Sequence, residues 1–119
     1  MARGQIPVTD IVRAGVAPAA QTDADATNDH YFINADGRVF LEIVSSDGSQ
    51  QTVAIQPAPG LTADGLTVSA LTITIPAGVT RVCGPFRVAT FKQNASYHLY
   101  LDPSVSTTLK FRAYRLPEP

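Results

Sequence analysis

The sequence contains no tryptophan, one methionine and one cysteine. A lone Cys83 closes no internal disulfide and builds no zinc site by itself. The fold therefore does not depend on an oxidising compartment. Charge is scarce as well: Asp, Glu, Lys and Arg make up 16% of the chain and the net charge is −1, against a usual charged share of ~25%. Such a balance gives no broad pull toward nucleic acid or an anionic membrane, and neither is expected as a partner. A surface this poor in charge suggests faces covered by other subunits. No stretch approaches ~18 consecutive apolar residues, so no membrane-spanning helix is expected. The opening Met1-Ala2-Arg3-Gly4 lacks the apolar region of a signal peptide, which points to synthesis in a cytoplasm.

Catalytic signatures are missing too. There is no G-x-S-x-G elbow, no phosphate-binding G-x-x-x-x-G-K-[ST] and no G-x-G-x-x-G. The two histidines, His30 and His98, have no obvious nucleophile beside them. Cys83 sits in an apolar run before Gly84-Pro85, where a small core residue is the expected role. Glu42 is the one glutamate apart from the tail residue Glu118, and Asp36, Asp47, Asp64 and Asp102 adjoin Gly or Pro and serve turns. Asp23, Asp25, Asp29 and His30 form the one cluster of hard ligands. A calcium loop wants six or more oxygens and a turn glycine, and residues 23–30 contain no glycine. No enzyme, metal or cofactor is expected.

What the chain does have is strand grammar. From Tyr31 onward, short runs with period-two alternation are separated by turn signals. In Arg38–Ser45, Val39, Leu41 and Ile43 share a face, while Phe40 and Val44 make the other face apolar, as in a central strand. Asp47-Gly48 signals a hairpin, followed by Gln51–Gln56 with Val53 and Ile55 inward. Pro57 and Pro59 then exclude a central ladder. Asp64-Gly65 turns into Leu66–Ile75, where Leu71, Ile73 and Ile75 alternate with Thr72 and Thr74. Further strands are expected at Thr80–Cys83, Arg87–Phe91 and Ser96–Leu101. In the last strand, Thr107–Leu116, Leu109, Phe111 and Ala113 point inward, and Pro117 and Pro119 stop it. About seven or eight short strands at roughly ten-residue spacing predict a single all-β domain, an antiparallel β-sandwich or jelly roll. His98, Tyr100, Lys110, Arg112 and Tyr114 share a face only if the last two strands pair.

Residues 1–30 differ from the rest. They are rich in Ala and small polar residues, and their apolar residues are Ile6, Val8, Ile11, Val12 and Val16. The segment reads as an extended N-terminal arm, with a disordered terminus as the alternative. The domain organisation expected is an arm over residues 1–30 and a β-sandwich over residues 31–119. Those five residues are the candidate partner-binding anchors, ordering on contact. On this reading, deleting residues 1–18 leaves a folded body that no longer holds its partner.

Several stretches together resemble a group of small structural proteins of tailed bacteriophages. They are Val8-Thr9-Asp10-Ile11-Val12-Arg13-Ala14-Gly15-Val16-Ala17-Pro18 and Asn34-Ala35-Asp36-Gly37-Arg38-Val39-Phe40-Leu41-Glu42-Ile43. Gly65-Leu66-Thr67-Val68, Thr74-Ile75-Pro76-Ala77-Gly78, Gly84-Pro85-Phe86 and Tyr114-Arg115-Leu116 complete the set. These motifs are turn and strand grammar and carry no catalytic residue. The resemblance is to head decoration, or cement, proteins. It implies a virion protein on the capsid exterior, with the major capsid protein as partner and a homotrimer at local symmetry axes. The alternatives are a head–tail connector, a tail or fibre-associated module, or a carbohydrate-binding β-sandwich using Tyr97, Tyr100 and Tyr114.

Overall fold

The computed structural model describes residues 2–117; Met1, Glu118 and Pro119 lie outside the described residues. In chain order its strands are β1 (Gly4–Gln5), β2 (Val8–Asp10), β3 (Thr22–Asp23), β4 (His30–Ile33), β5 (Val39–Ser45), β6 (Gln51–Ile55), β7 (Thr62–Ala63), β8 (Leu66–Thr67), β9 (Leu71–Ile75), β10 (Thr80–Cys83), β11 (His98–Pro103) and β12 (Leu109–Arg115). One helical turn, α1 (Val88–Phe91), lies between β10 and β11.

Two sheets form the body. The first runs β1-β4-β11-β6-β9, and the second runs β10-β5-β12-β2, with β3 also on β12. The longest ladder pairs β5 with β12 antiparallel, from Leu109 opposite Ser45 to Arg115 opposite Val39. Alternation explains the packing. Val39, Leu41 and Ile43 of β5 and Leu109, Phe111 and Ala113 of β12 are buried on one side. Phe32, Val53, Ile55, Ile75, Leu99 and Leu101 meet them from the first sheet in a single core cluster. The protein is therefore an all-β, sandwich-like domain. Burying each such side chain contributes roughly 1.5–3 kcal/mol.

Chain connections differ from the expected hairpins. Asp47-Gly48 does not turn β5 onto its neighbour, because β5 and β6 belong to opposite sheets. The Asp47 carboxylate instead accepts the Ser49 N–H at 2.8 Å and the Thr108 hydroxyl at 2.7 Å, tying the crossing to the start of β12. The expected strand Leu66–Ile75 is two strands. Leu66–Thr67 pairs with Thr62–Ala63 in a separate hairpin. Asp64 and Gly65 there take φ of 53° and 81°, the left-handed pair that a tight hairpin requires. Only Leu71–Ile75 finds β6 alongside, and β6 is five residues long. Arg87–Phe91, expected as a strand, is the turn α1. It has no ladder to join: Phe86 drops into the core and the Thr90 carbonyl accepts the Ala58 N–H at 2.8 Å. Finally, β11 and β12 lie in different sheets. His98 and Tyr100 therefore stand on the opposite face of the molecule from Lys110, Arg112 and Tyr114, which removes the shared basic and aromatic face.

The largest correction concerns residues 1–30. This segment is extended, yet it is laid onto the body rather than free of it. β1 runs parallel to β4, β2 runs parallel to β12, and β3 runs antiparallel to β12. Its side chains reach the core: Ile6 is 0% exposed and Ala24 is buried. The boundary expected at residues 30 and 31 falls inside β4. A body lacking residues 1–18 loses Ile6 and both parallel pairings, and with them part of the core and two sheet edges.

Ile6→Ala removes a fully buried side chain and is expected to cost about 2–5 kcal/mol. Urea unfolding should show a lower midpoint with an unchanged slope. A loss within 0.5 kcal/mol, the usual range for a surface substitution, would contradict the packing described.

Candidate functional site

Two surfaces carry chemistry beyond packing. The first is the outer face of the first sheet. Tyr31 on β4 and His98, Tyr100 and Asp102 on β11 alternate with buried Phe32, Leu99 and Leu101, so they project outward. The antiparallel register sets Tyr100 opposite Tyr31. Arg3 crosses over them: its guanidinium lies 4.1 Å from the Tyr100 ring centroid and donates to the Asp102 carboxylate at 2.6 Å. Gln56 donates to the second Asp102 oxygen at 2.6 Å. Tyr31 and His98 stack at 4.1 Å. Ala2, Arg3, Tyr31, His98 and Tyr100 line a shallow cavity of about 410 Å³.

The ring faces in this cavity are already engaged. Arg3 covers Tyr100, and Tyr31 and His98 cover each other. The assembly thus fastens the start of the chain to the sheet. The tyrosines considered for a sugar site are not brought together either. Tyr97 precedes β11 with φ of 61° and Lys92 over its ring. Tyr100 lies under Arg3, and Tyr114 stacks on Phe40 at 5.5 Å on the second sheet.

The second surface is the loop of residues 11–21, which joins β2 to β3. Both of its ends are fixed on β12. The Ile11 N–H donates to the Arg115 carbonyl at 2.9 Å, and Arg115 pairs with Asp10 at 2.8 Å. At the far end Lys110 pairs with Asp23. Tyr114 Oη accepts the Ala19 N–H at 3.1 Å in between. Gly15, with φ of 101°, allows the chain to reverse at the tip, where its N–H donates to the Val12 carbonyl.

Of the five expected anchors, Ile6 is in the core and Val8 and Ile11 are half-buried against the body. Val12 and Val16 are 51% and 45% exposed. Ile6 is therefore unavailable to a partner; its neighbour strands claim it. Among the described residues of the expected arm, the large apolar side chains left exposed are Val12 and Val16, at the tip of the loop.

The acidic stretch resolves into structural contacts. Asp25 accepts the Thr27 and Asn28 N–H groups, and these bonds hold its carboxyl below the usual range. Burial and the neighbouring Asp102 charge push Asp29 up. Among the described residues, no three His, Cys, Asp or Glu side chains gather as a metal-holding group, and no helix is long and apolar enough to cross a membrane.

His30, one of the two sequence candidates for chemistry, is buried. Its Nε2 accepts the Asp25 N–H at 2.9 Å, while Nδ1 lies 3.2 Å from the Gly4 carbonyl, to which it donates. The ring meets Phe111 edge-on at 5.4 Å. Both nitrogens are thus occupied by backbone groups, and the neutral Nδ1–H tautomer fits them. Burial lowers the His30 pKa below 6.5. Cys83 is half-buried against the core with a thiol pushed up to about 11 by burial. Comparison with protein families, with curated proteins and with solved structures finds no match.

Two outcomes follow from these groups. The unfolded chain protonates His30 near pH 6.5 and the folded chain does so only at lower pH. Its contribution to stability is therefore complete above about pH 6.5 and is lost as pH falls below that value. Unfolding free energies measured between pH 7.5 and 5 should decline, and His30→Gln should flatten that decline. Cys83, protonated at neutral pH, should alkylate slowly with iodoacetamide in the native protein and rapidly in denaturant.

Proposed function

We propose that this chain is a non-enzymatic structural protein of a tailed-phage virion that binds the outer surface of the major capsid protein and stabilises the head. The observation that carries the reading is the loop of residues 11–21, which presents Val12 and Val16 from a base fastened to β12. A loop held at both ends loses less freedom on docking than a free arm. Two valines per copy make a weak contact, and many copies on a symmetric shell add through avidity. The resemblance of the turn and strand motifs to those of head decoration proteins supports the same assignment.

The test is immunogold labelling of intact virions of the encoding phage, viewed by electron microscopy. Dense label over the heads is expected. Label confined to the neck or tail would overturn decoration in favour of a connector or fibre-associated role, and unlabelled virions would overturn the virion assignment altogether. Val12→Asp combined with Val16→Asp should weaken the affinity for heads roughly tenfold, a loss of about 1.4 kcal/mol, with the melting temperature of the free protein unchanged.

A further inference from the structure

The four outer edges of the two sheets are treated unequally. On one side the N-terminal segment supplies them: β1 ends the first sheet and β2 ends the second. On the other side β9 and β10 end the sheets with no strand beyond them among the described residues. An uncovered edge strand presents a row of backbone donors and acceptors, and proteins commonly blunt it with charge, Pro or a bulge. β10 carries Arg81 and is four residues long. β9 is Leu71-Thr72-Ile73-Thr74-Ile75, without charge, Pro or Gly.

The direction of the free groups follows from the ladders. The Gln56 N–H donates to the Tyr100 carbonyl, and the Ser104 N–H donates to the Thr52 carbonyl. Even-numbered residues of β6 therefore bond toward β11, and Gln51, Val53 and Ile55 bond toward β9. Their partners are Ile75, Ile73 and Leu71. The backbone N–H and C=O of Thr72 and Thr74 consequently point away from β6, to the open edge. Both threonine side chains are exposed on the outer face, Leu71 is 44% exposed, and Ile73 is half-buried.

We propose that β9 pairs antiparallel with β9 of a second copy of this chain about a two-fold axis at Ile73, joining the first sheets of two molecules edge to edge. The strand is its own complement about that point. Leu71 meets the partner's Ile75, Thr72 meets the partner's Thr74, and Ile73 meets the partner's Ile73. Apolar residues thus face apolar residues and Thr faces Thr. The Thr72–Thr74 pairs are the hydrogen-bonded ones, so the free backbone groups of both strands are used. Pro76, lacking an N–H, ends the ladder one step beyond. The strand brings no charge to oppose its copy, and the two half-buried Ile73 side chains cover one another. The pairing stands independently of where the protein sits in a virion.

Sedimentation velocity of the full chain over a range of concentrations tests this. A monomer–dimer equilibrium is expected; a monomer at every concentration, or a trimer, would overturn it. Thr72→Lys with Thr74→Lys sets like charges across both pairs and should weaken the dimer roughly tenfold or more. Thr72→Lys with Thr74→Glu sets opposite charges in the same places and should restore it. Equal dimerisation by the two double variants would overturn the register. Circular dichroism melts establish that each variant is folded.

Discussion

The structure depends on how the first residues of the chain are held. Ile6 fills space between the sheets with no exposed surface. Just beside it, the His30 ring joins the Gly4 carbonyl to the Asp25 N–H. These two contacts convert a segment with little apolar content into three strands of the body. Arg3 adds a third fastening by lying on Tyr100 and pairing with Asp102. A buried imidazole between two backbone groups satisfies polar atoms that burial would otherwise leave unpaired. Gly4 is part of the arrangement, since a Cβ there would stand 3.3 Å from His30 Nδ1.

That fastening explains the asymmetry of the two sides. Chain crossings between sheets leave four edges, and the N-terminal segment covers those beside β4 and β12. Its pairings through β1 and β2 are parallel and short, as suits a segment that lies along existing strands, and β3 returns antiparallel on β12. The cross-sheet order also forces the special backbone at Gly84, where φ is 113° and a Cβ would come within 3.1 Å of Phe40 Cα. Here the chain leaves β10 and brings Phe86 into the core against Phe32 and Phe91.

Part of the candidate site was legible. Val12 and Val16 stand out as apolar residues among Ala, Gly and Pro, and they do remain exposed at the tip of a loop. Ile6 carried the same signal and plays the opposite role. Nothing local distinguishes the three, because exposure is set by which strands lie alongside. The Arg3, Tyr31, Asp102 and Gln56 cluster had no signature at all: its members are separated by up to 99 residues. His30 looked like a loose ligand in an acidic stretch. Only the neighbouring Gly4 and Asp25 backbone shows that its two nitrogens are structural.

The sequence by itself determined the strand class and the inward faces. Period-two alternation picks out Val39, Leu41 and Ile43, or Leu109, Phe111 and Ala113, because side-chain direction in a strand follows from position alone. Asp64-Gly65 was equally readable, since left-handed φ at two successive residues is a local demand. Tertiary structure decided which strands are neighbours. Asp47-Gly48 became a crossing, Leu66–Ile75 was divided, and β11 and β12 went to opposite sheets. The reason is that pairing satisfies backbone groups across long chain separations, and local alternation looks the same whichever strand provides the partner.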